Sequence, residues 1–298
     1  MQPIRRVAIV GVTGFVGRGL PELLAEHGIA TTGISRSGRG EVPQVDRWQT
    51  PDALDLSGHD AVINLAGEPV DRRWTGKNRR LFHESRIGVT TRVVESLAKL
   101  PDEDRPKVLV NASAVGIYGD RGDETLTESA RPGSGYLANL CIDWEDAARD
   151  AETLEVRVIR LRIGVVLGKD GAAYRKLSRV VKSGLAGPLG SGKQWMPWIH
   201  VADLRSVIVH SLLSEQIRGP LNASAPNPER NRDLIRKMAH ALHRPAILPA
   251  PAFALKLVLG EFSSALLASQ KAVPAALIAD GFRFRYPTLE DALRDLVA

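Results

Sequence analysis

Three glycines near the start of the chain have the spacing of a phosphate-binding turn. In AIVGVTGFVGRGL, Gly11, Gly14 and Gly17 lie where an apolar run gives way to a helical pattern. The first glycine permits a tight turn, the second lets the backbone approach a pyrophosphate, and the third permits close packing of helix on sheet. The start of the helix offers N–H groups and the positive end of its dipole to phosphates. The pattern therefore predicts a dinucleotide site.

A pair of residues at the end of the next apolar run indicates which dinucleotide the chain binds. A site for NAD usually has Asp or Glu at this point, where the side chain binds the ribose 2′-hydroxyl. This chain has Ser35 and Arg36 there instead. A guanidinium forms charge-assisted hydrogen bonds with phosphate, so the sequence predicts a preference for NADP over NAD. The alternative interpretation of Arg36 is a solvated loop arginine.

The elements that would position these residues alternate between strand and helix. Strands are predicted over residues 6–12, 30–35, 60–67, 107–113 and 156–167, and helices over residues 15–28, 78–100 and 136–151. Apolar runs without alternation are typical of strands that are covered on both faces. Strands that alternate with helices predict right-handed crossovers and an α/β fold with a doubly wound parallel sheet, the Rossmann fold.

The chain changes in character after residue 170. Residues 182–198 are rich in glycine and proline, and helical patterns follow at 201–215 and 232–243. We predict an NADP-binding Rossmann domain over residues 1–170 and a smaller, mostly helical C-terminal substrate cap over residues 171–298. The boundary is soft because segments of the two parts are expected to interleave.

The composition is typical of a globular protein, and the cysteine content is typical of a reducing compartment. The 298 residues are 44% hydrophobic, and 40 basic residues interleave with 34 acidic ones to give a net charge of +6. An anionic small molecule explains this excess as well as nucleic acid does. The single cysteine excludes an intrachain disulfide and favours the cytoplasm. The N-terminal run lacks a cleavage site and residues 251–268 contain charges, so we expect no membrane partner.

Further segments resemble an atypical subgroup of the extended short-chain dehydrogenases/reductases, of the NAD-dependent epimerase/dehydratase-like type. The resemblance rests on GVTGFVG, NLAGEPVDRRW, ESRIGVTTRVVESL, NASAVGIYGDRGDETLTE, LRIGVVLG and PWIHVADL, and it continues through residues 247–293. Members are usually described as epimerase-family proteins of unknown substrate with a C-terminal domain of unknown function. The resemblance implies NADP contacts at Gly11, Thr13, Gly14, Phe15, Val16, Gly17, Ser35, Arg36, Leu65, Ala66, Gly67, Glu68, Arg86 and Val165.

The catalytic groups that the resemblance implies are only partly present. Ordinary members of the superfamily orient a carbonyl with Ser or Thr and use a Tyr and a Lys four residues apart, where the cation helps the phenol to act near neutral pH. No Tyr-x-x-x-Lys occurs in this chain. If Glu145 matches the glutamate that follows the family lysine, Cys141 takes the lysine position and Leu137 the tyrosine position. Ser113 is retained, and Arg86 stands where an asparagine is expected.

Several groups are candidates for the missing proton donor. Tyr136 is one position from the usual tyrosine, which turns it by about 100° around a helix. Tyr118 would lie on the loop that leaves the fifth strand, where it could serve as a mobile acid. His200 could titrate near neutral pH, although a packed histidine is the favoured interpretation. Cys141 is favoured as a small buried residue, and Arg86 supplies a cation but exchanges no proton.

Two patterns point to other functions, and neither is favoured. Residues 187–194 approach a triphosphate-binding loop, but Gln194 stands where Ser or Thr must bind magnesium. Residues 71–80 hold five basic residues and a tryptophan, which could contact nucleic acid. The favoured interpretation is a solvated helix entry or a loop near the cofactor phosphates. No His/Cys cluster predicts a metal site.

We therefore expect an NADP-dependent oxidoreductase or epimerase-like enzyme that binds a small molecule between its two parts. Ser113 and Arg86 would assist hydride transfer, and the proton donor stays open. The missing Tyr–Lys pair leaves a non-catalytic, NADP-binding regulatory protein as the alternative. We expect no nucleic-acid partner, and the sequence permits a homodimer.

Overall fold

A sheet of seven parallel strands forms the centre of the molecule. The computed structural model describes residues 3–298. Its strands are β1 (Arg6–Val10), β2 (Ala30–Ile34), β3 (Arg47–Gln49), β4 (Ala61–Asn64), β5 (Val108–Ala114), β6 (Thr125–Leu126), β7 (Arg157–Ile163), β8 (Val165–Leu167), β9 (Trp195–Met196), β10 (Trp198–His200), β11 (Gly219–Ala223), β12 (Glu229–Arg230) and β13 (Lys271–Ala272). The central sheet has the order β3-β2-β1-β4-β5-β7-β11. The direction of winding therefore reverses between β1 and β4.

Helices cover both faces of this sheet. They are α1 (Leu20–Ala25), α2 (Gly76–His83), α3 (Val89–Ala98), α4 (Tyr136–Arg149), α5 (Ala172–Lys182), α6 (Val201–Leu213), α7 (Asn231–Ala241), α8 (Ala252–Leu259), α9 (Phe262–Leu267), α10 (Ala275–Ala279) and α11 (Leu289–Val297). In β1, Val7 and Ile9 pack with Leu204 of α6, whereas Ala8 on the other face packs with Leu97 of α3. Burial on both faces explains why the strands are apolar without alternation.

The predicted doubly wound α/β fold is confirmed, with local differences. The helix expected over 15–28 is shorter, because a 3-10 turn at Gly17–Gly19 precedes α1. The run 156–167 divides at Gly164, since β8 leaves the central sheet to pair with β10. Strands β3 and β11 and helix α5 lie outside the predicted elements.

The amphipathic stretch expected over 78–100 contains an interruption. Helices α2 and α3 are joined by a turn of π-helix at Glu84–Gly88, so the three segments form one continuous rod. A π turn inserts a residue into the helical ladder and is frequent at functional sites. This turn presents Ser85 and Arg86 to the loop that follows β4.

The C-terminal part of the chain contributes to two cores. Strand β11 completes the central sheet and α6 packs on it, although both follow residue 170. A second, smaller core gathers side chains of α5, α7 and α11, among them Tyr174, Leu234 and Leu293. The division at residue 170 therefore stays a prediction, with interleaved elements on its far side.

Some features bear on other classes of function. No helix within residues 3–298 is long and apolar enough to cross a membrane. Over the same residues, no group of three His, Cys, Asp or Glu side chains is arranged to hold a metal ion. The glycine-rich segment 187–194 leads into strand β9 and not into a helix, so it lacks the geometry of a triphosphate-binding loop.

Candidate cofactor crevice and active site

The predicted cofactor residues meet at the carboxyl ends of β1 and β4. In open α/β sheets, ligands bind at the point where the strand order reverses. Gly11 directly follows β1, and residues 65–68 directly follow β4, its neighbour in the sheet. The Leu65 N–H donates to the Val10 carbonyl at 2.9 Å, which holds the two loops side by side. The structure thus brings these residues together at the expected crevice.

The glycine turn is packed so tightly that Gly11 and Gly17 leave no room for a side chain. Gly11 has φ +81°, and a Cβ there would lie 3.2 Å from the Leu65 carbonyl group. A Cβ on Gly17 would lie 2.5 Å from the Gly11 oxygen, so only glycine permits this packing. Gly14 and its neighbour Thr13 are exposed, and a Cβ on Gly14 would lie 3.1 Å from the Gly11 oxygen. The turn therefore fits a dinucleotide pyrophosphate, because its open side carries backbone and no bulky side chain.

Of the remaining predicted contacts, Phe15 and Val16 belong to this turn and Val165 lies on β8. The Phe15 ring packs against Gly168 and Gly171, because a Cβ at either glycine would lie 2.6–2.8 Å from ring carbons. Val16 and Val165 are half-buried, and Val165 begins β8 at the same end of the sheet.

Arg36 and Glu68 meet across the mouth of the crevice. The Arg36 side chain is 91% exposed, and its Nη1 lies 3.1 Å from Oε1 of Glu68. The second oxygen of Glu68 lies 3.4 Å from Nη2 of Arg72. Ser35 is buried below Arg36, and its hydroxyl donates to the Arg39 carbonyl at 2.8 Å. Because an exposed ion pair is worth only about 0–1 kcal/mol, Arg36 can exchange Glu68 for a phosphate at small cost.

Arg86 lies in the π turn and packs between Gly67 and Trp144. A Cβ on Gly67 would lie 3.3 Å from Cζ of Arg86, and that carbon lies 5.1 Å from the centre of the Trp144 ring. The guanidinium donates to the Phe82 carbonyl and the Ser85 hydroxyl at 3.4 and 3.5 Å, which are long contacts. The Ser85 hydroxyl also accepts from the Glu68 N–H at 3.0 Å, so the π turn holds the loop after β4.

The electrostatics of Arg86 favour an anionic ligand. Burial lowers the pKa of Arg86, and nearby Cys141, Tyr136 and Glu68 partly offset that effect. An arginine stays protonated even so. A desolvated cation with long hydrogen bonds gains most from a charged acceptor, because burial of an unpaired charge is costly. Arg86 is therefore suited to a phosphate, a carboxylate or a developing oxyanion in the crevice.

A buried polar group that sequence reasoning missed supports this site. The Trp144 indole N–H donates to the Thr90 hydroxyl at 3.0 Å. Asn64 donates to Thr90 at 2.9 Å and to Asn111 at 2.7 Å, while its own oxygen accepts from the Ala66 N–H at 3.2 Å. Since Asn64 ends β4, these bonds fix both the loop at residues 65–68 and the indole on which Arg86 rests.

Tyr136 is the first residue of α4 and forms an aromatic cluster with Trp74 and Phe262. Its ring centre lies 4.9 Å from that of Trp74 and 4.4 Å from Cζ of Arg79, and Trp74 in turn contacts Phe262 at 6.1 Å. The Tyr136 hydroxyl is buried and has no hydrogen-bond partner within residues 3–298. Burial raises the pKa of Tyr136 overall, although Arg79 and Arg86 oppose the shift.

Ser113 and Tyr118 belong to a separate, fully buried network. The Ser113 hydroxyl donates to Oε1 of Glu145 at 2.8 Å, and Arg162 pairs with both oxygens of Glu145 at 2.8 and 3.0 Å. A further N–H of Arg162 donates to the Tyr118 hydroxyl at 2.9 Å, and that hydroxyl donates to Asn222 at 2.7 Å. The pairing of Glu145 with Arg162 was not predicted from the sequence, because it joins α4 to β7.

This network leaves little freedom to Tyr118. Burial raises the pKa of the Tyr118 phenol, although Arg162 opposes the shift. Burial alone would lower the pKa of Arg162, but its bonds to Glu145 and Tyr118 raise it overall. Tyr118 is fully buried and bonded on two sides, which differs from the mobile acid expected at this position.

Cys141 is a buried residue of α4, as expected. It is 4% exposed, and Sγ lies 3.9 Å from the point where a Cβ on Gly116 would stand. Burial raises the pKa of the Cys141 thiol to about 12. Leu137, at the family tyrosine position, is half-buried against the aromatic cluster. The two positions of the usual Tyr–Lys pair therefore hold a neutral thiol and an alkyl group.

His200 is packed at the start of α6, the interpretation favoured from the sequence. Its Nδ1 accepts from the Ala202 N–H at 3.2 Å, and its ring centre lies 4.1 Å from that of Tyr286. Nε2 lies 3.3 Å from Oδ2 of Asp295 but without hydrogen-bond geometry. Burial lowers the pKa of His200. Its Nδ1 caps the helix as a hydrogen-bond acceptor.

The segment 71–80 is tied to the body of the protein. Arg73 donates to the carbonyls of Leu257 and Val258 at 2.8 and 3.2 Å, and Arg79 pairs with Glu261. These contacts hold the segment against α8 and α9, beside the aromatic cluster.

The chain is similar to known proteins over most of its length. The model of the NAD dependent epimerase/dehydratase family matches residues 7–222, and a domain of unknown function, DUF1731, matches residues 250–296. The chloroplastic epimerase family protein SDR39U1 homolog of Arabidopsis thaliana is 38% identical over 98% of this chain and 86% of its own length. The epimerase family protein YfhF of Bacillus subtilis is 36% identical over 98% of each chain. The crystal structure of human epimerase family protein SDR39U1 (isoform 2) with NADPH superposes with a TM-score of 0.88, at 33% identity over 98% of this chain and 99% of that one.

Proposed function

The chain belongs to the NAD dependent epimerase/dehydratase family, and on that premise we propose that it binds NADP(H) between β1 and β4 and acts as an oxidoreductase or epimerase-like enzyme on a small molecule. The observation that carries the proposal is the glycine turn at the reversal of strand order, where Gly11 packs against the loop at residues 65–68 and Arg86 lies against Gly67. The NADPH bound to the human relative supports it.

The residues that would hold the cofactor divide by function. The turn from Gly11 to Gly17 would receive the pyrophosphate on its N–H groups, and Arg36 would bind the 2′-phosphate in exchange for Glu68. When bound, NADP(H) supplies a nicotinamide ring that gives or takes a hydride. Arg86 would neutralise negative charge at the same end of the sheet, because its guanidinium lies against Gly67.

Tyr136 is the proton donor that the hydrogen bonds favour. The other three tyrosine hydroxyls donate to protein oxygens, namely Tyr118 to Asn222, Tyr174 to Leu296 and Tyr286 to Asp295. Only the hydroxyl of Tyr136 lacks a partner within residues 3–298, and the Arg79 guanidinium lies over its ring. The Ser113 hydroxyl already donates to Glu145, so its part in orienting a carbonyl stays a prediction.

The test is NADPH oxidation over a panel of carbonyl compounds, measured for the wild type, Tyr136→Phe and Tyr118→Phe. We expect Tyr136→Phe to lose turnover by about two to four decades, the usual contribution of a general acid, while its affinity for NADPH stays unchanged. Tyr118→Phe should keep turnover and lose stability. Full turnover by Tyr136→Phe would exclude this tyrosine.

A non-catalytic NADP-binding regulatory protein is the alternative, because the chain lacks any Tyr-x-x-x-Lys pair. Tight binding of NADPH without oxidation by any compound of the panel would favour it. In that case Tyr136→Phe should behave as the wild type in every binding experiment.

A further inference from the structure

Arg205 of α6 reaches the glycine turn from the C-terminal half of the chain. Its Nε donates to the Val16 carbonyl at 3.0 Å, and Nη2 donates to the Phe15 carbonyl at 2.8 Å. The two partners are 189 and 190 residues away in sequence. One half-buried guanidinium therefore binds two successive carbonyl groups of the turn.

Gly19, two residues after the turn, leaves room for this guanidinium because it has no side chain. A Cβ on this residue would lie 2.3 Å from Cζ of Arg205 and 2.4 Å from its Nη1. The absence of a side chain at Gly19 is therefore what lets the guanidinium lie against the turn. Two positions far apart in the sequence thus serve one contact.

The geometry of the peptide bond connects this contact to the crevice. A peptide is planar and trans, so a carbonyl and the N–H of the following residue point in opposite directions. The Phe15 carbonyl shares its peptide with the Val16 N–H, and the Val16 carbonyl shares its peptide with the Gly17 N–H. When Arg205 binds these carbonyls on one side, the two N–H groups are turned to the other side.

We propose that Arg205 is a positioning residue for the dinucleotide site: it holds the glycine turn with its N–H groups directed at the pyrophosphate and does not itself touch the cofactor. The inference rests on the proposed binding of NADP(H). It also makes α6 a link between the turn and the C-terminal region, because Asp203 on the same helix accepts the backbone N–H groups of Arg285 and Tyr286 at 2.8 and 2.9 Å.

The proposal predicts an effect that is equal for two cofactors. NADPH and NADH carry the same pyrophosphate, so Arg205→Ala should weaken both by the same factor, about tenfold, which corresponds to about 1.4 kcal/mol. Gly19→Ala should give a similar common loss, because the new methyl group displaces the flexible end of Arg205 and leaves the backbone intact. Arg205→Lys should give a smaller loss, since an ammonium can bind one carbonyl but lacks the planar fork.

A matched control separates positioning from stability. Arg157 also donates to backbone carbonyls, those of Ser211, Leu212 and Ile217 at 3.0, 2.8 and 2.7 Å, but it lies at the start of β7, away from the glycine turn. Arg157→Ala should lower the melting temperature without changing either dissociation constant.

The experiment is calorimetric titration of NADPH and NADH into the wild type and the Arg205→Ala, Arg205→Lys, Gly19→Ala and Arg157→Ala variants of the full chain. A common loss for Arg205→Ala and Gly19→Ala, with unchanged affinity in Arg157→Ala, supports the proposal. Wild-type affinity in Arg205→Ala, or a loss confined to NADPH, overturns it. If the wild type binds neither dinucleotide, the proposed function fails instead, so the two failures are distinct.

Discussion

The carboxyl end of the sheet holds two polar groups of opposite character. The crevice group, which consists of Arg36, Glu68 and Arg86, is open or bound by long contacts. The buried group joins Glu145 and Arg162, together with Ser113, Tyr118 and Asn222, through hydrogen bonds of 2.7–3.0 Å. A polar group whose donors are already satisfied stabilises the fold, whereas one with weak partners is free to bind a ligand.

The features that could be predicted from the sequence are those formed by residues close together in the chain. The glycine turn is local, because Gly11, Gly14 and Gly17 lie within seven residues between a strand and a helix, and the fold followed from the alternation of elements. The basic residue at position 36, and the NADP preference that it predicts, could be read from the sequence for the same reason. The exposed pairing of Arg36 with Glu68 could not be predicted, because it joins two loops across the crevice.

The contacts that the sequence could not provide join distant segments. Arg162 and Glu145 meet because β7 and α4 are neighbours in space, and Arg205 meets Phe15 across 190 residues. The π turn at Glu84–Gly88 was also missed, because a single inserted residue hardly disturbs the helical pattern of 78–100. Ser113 and Tyr118 were predicted to have different roles, and only their hydrogen-bond partners reveal that they share one network.

The largest effect is expected from breaking the buried group. Glu145→Gln leaves the Arg162 guanidinium buried without a charged partner, and loss of one member of such a pair costs about 3–5 kcal/mol. Urea unfolding should show this loss, while the folded variant keeps its affinity for NADPH. Asp146→Asn, which breaks the exposed pair with Arg149 on the same helix, is the control and should cost less than about 1 kcal/mol.

The next effect concerns the crevice. Gly14→Val should weaken NADPH binding by at least about a hundredfold, because a branched side chain would fill space that the proposed site gives to the pyrophosphate. Circular dichroism should show a folded protein. A folded variant with normal affinity would mean that the turn binds no cofactor.

A smaller effect is expected at Arg86. Arg86→Ala should weaken NADPH binding by about tenfold, the value of one charge-assisted interaction, with the free energy of unfolding changed by less than about 1 kcal/mol. Fluorescence titration and urea unfolding of the same preparation measure both quantities. Large instability with unchanged affinity would place Arg86 with the buried group.

The smallest effect is expected at Cys141. Because its thiol is buried and its pKa is raised to about 12, the thiol stays protonated at pH 8 and should resist alkylation until the protein unfolds. Cys141→Ala should keep the affinity for NADPH within about twofold, since the side chain makes no bond in the crevice. Rapid alkylation of the folded protein with loss of NADPH binding would instead make the cysteine part of the site.

The measurement that tests the central claim most directly is calorimetric titration of NADPH and NADH into the wild type and Arg36→Ala. The account predicts that the wild type prefers NADPH by about one to two decades, because Arg36 forms charge-assisted hydrogen bonds with the 2′-phosphate. Arg36→Ala should lose that preference and bind NADH as the wild type does. Equal affinity of the wild type for both cofactors, or a preference that survives in Arg36→Ala, would contradict the account.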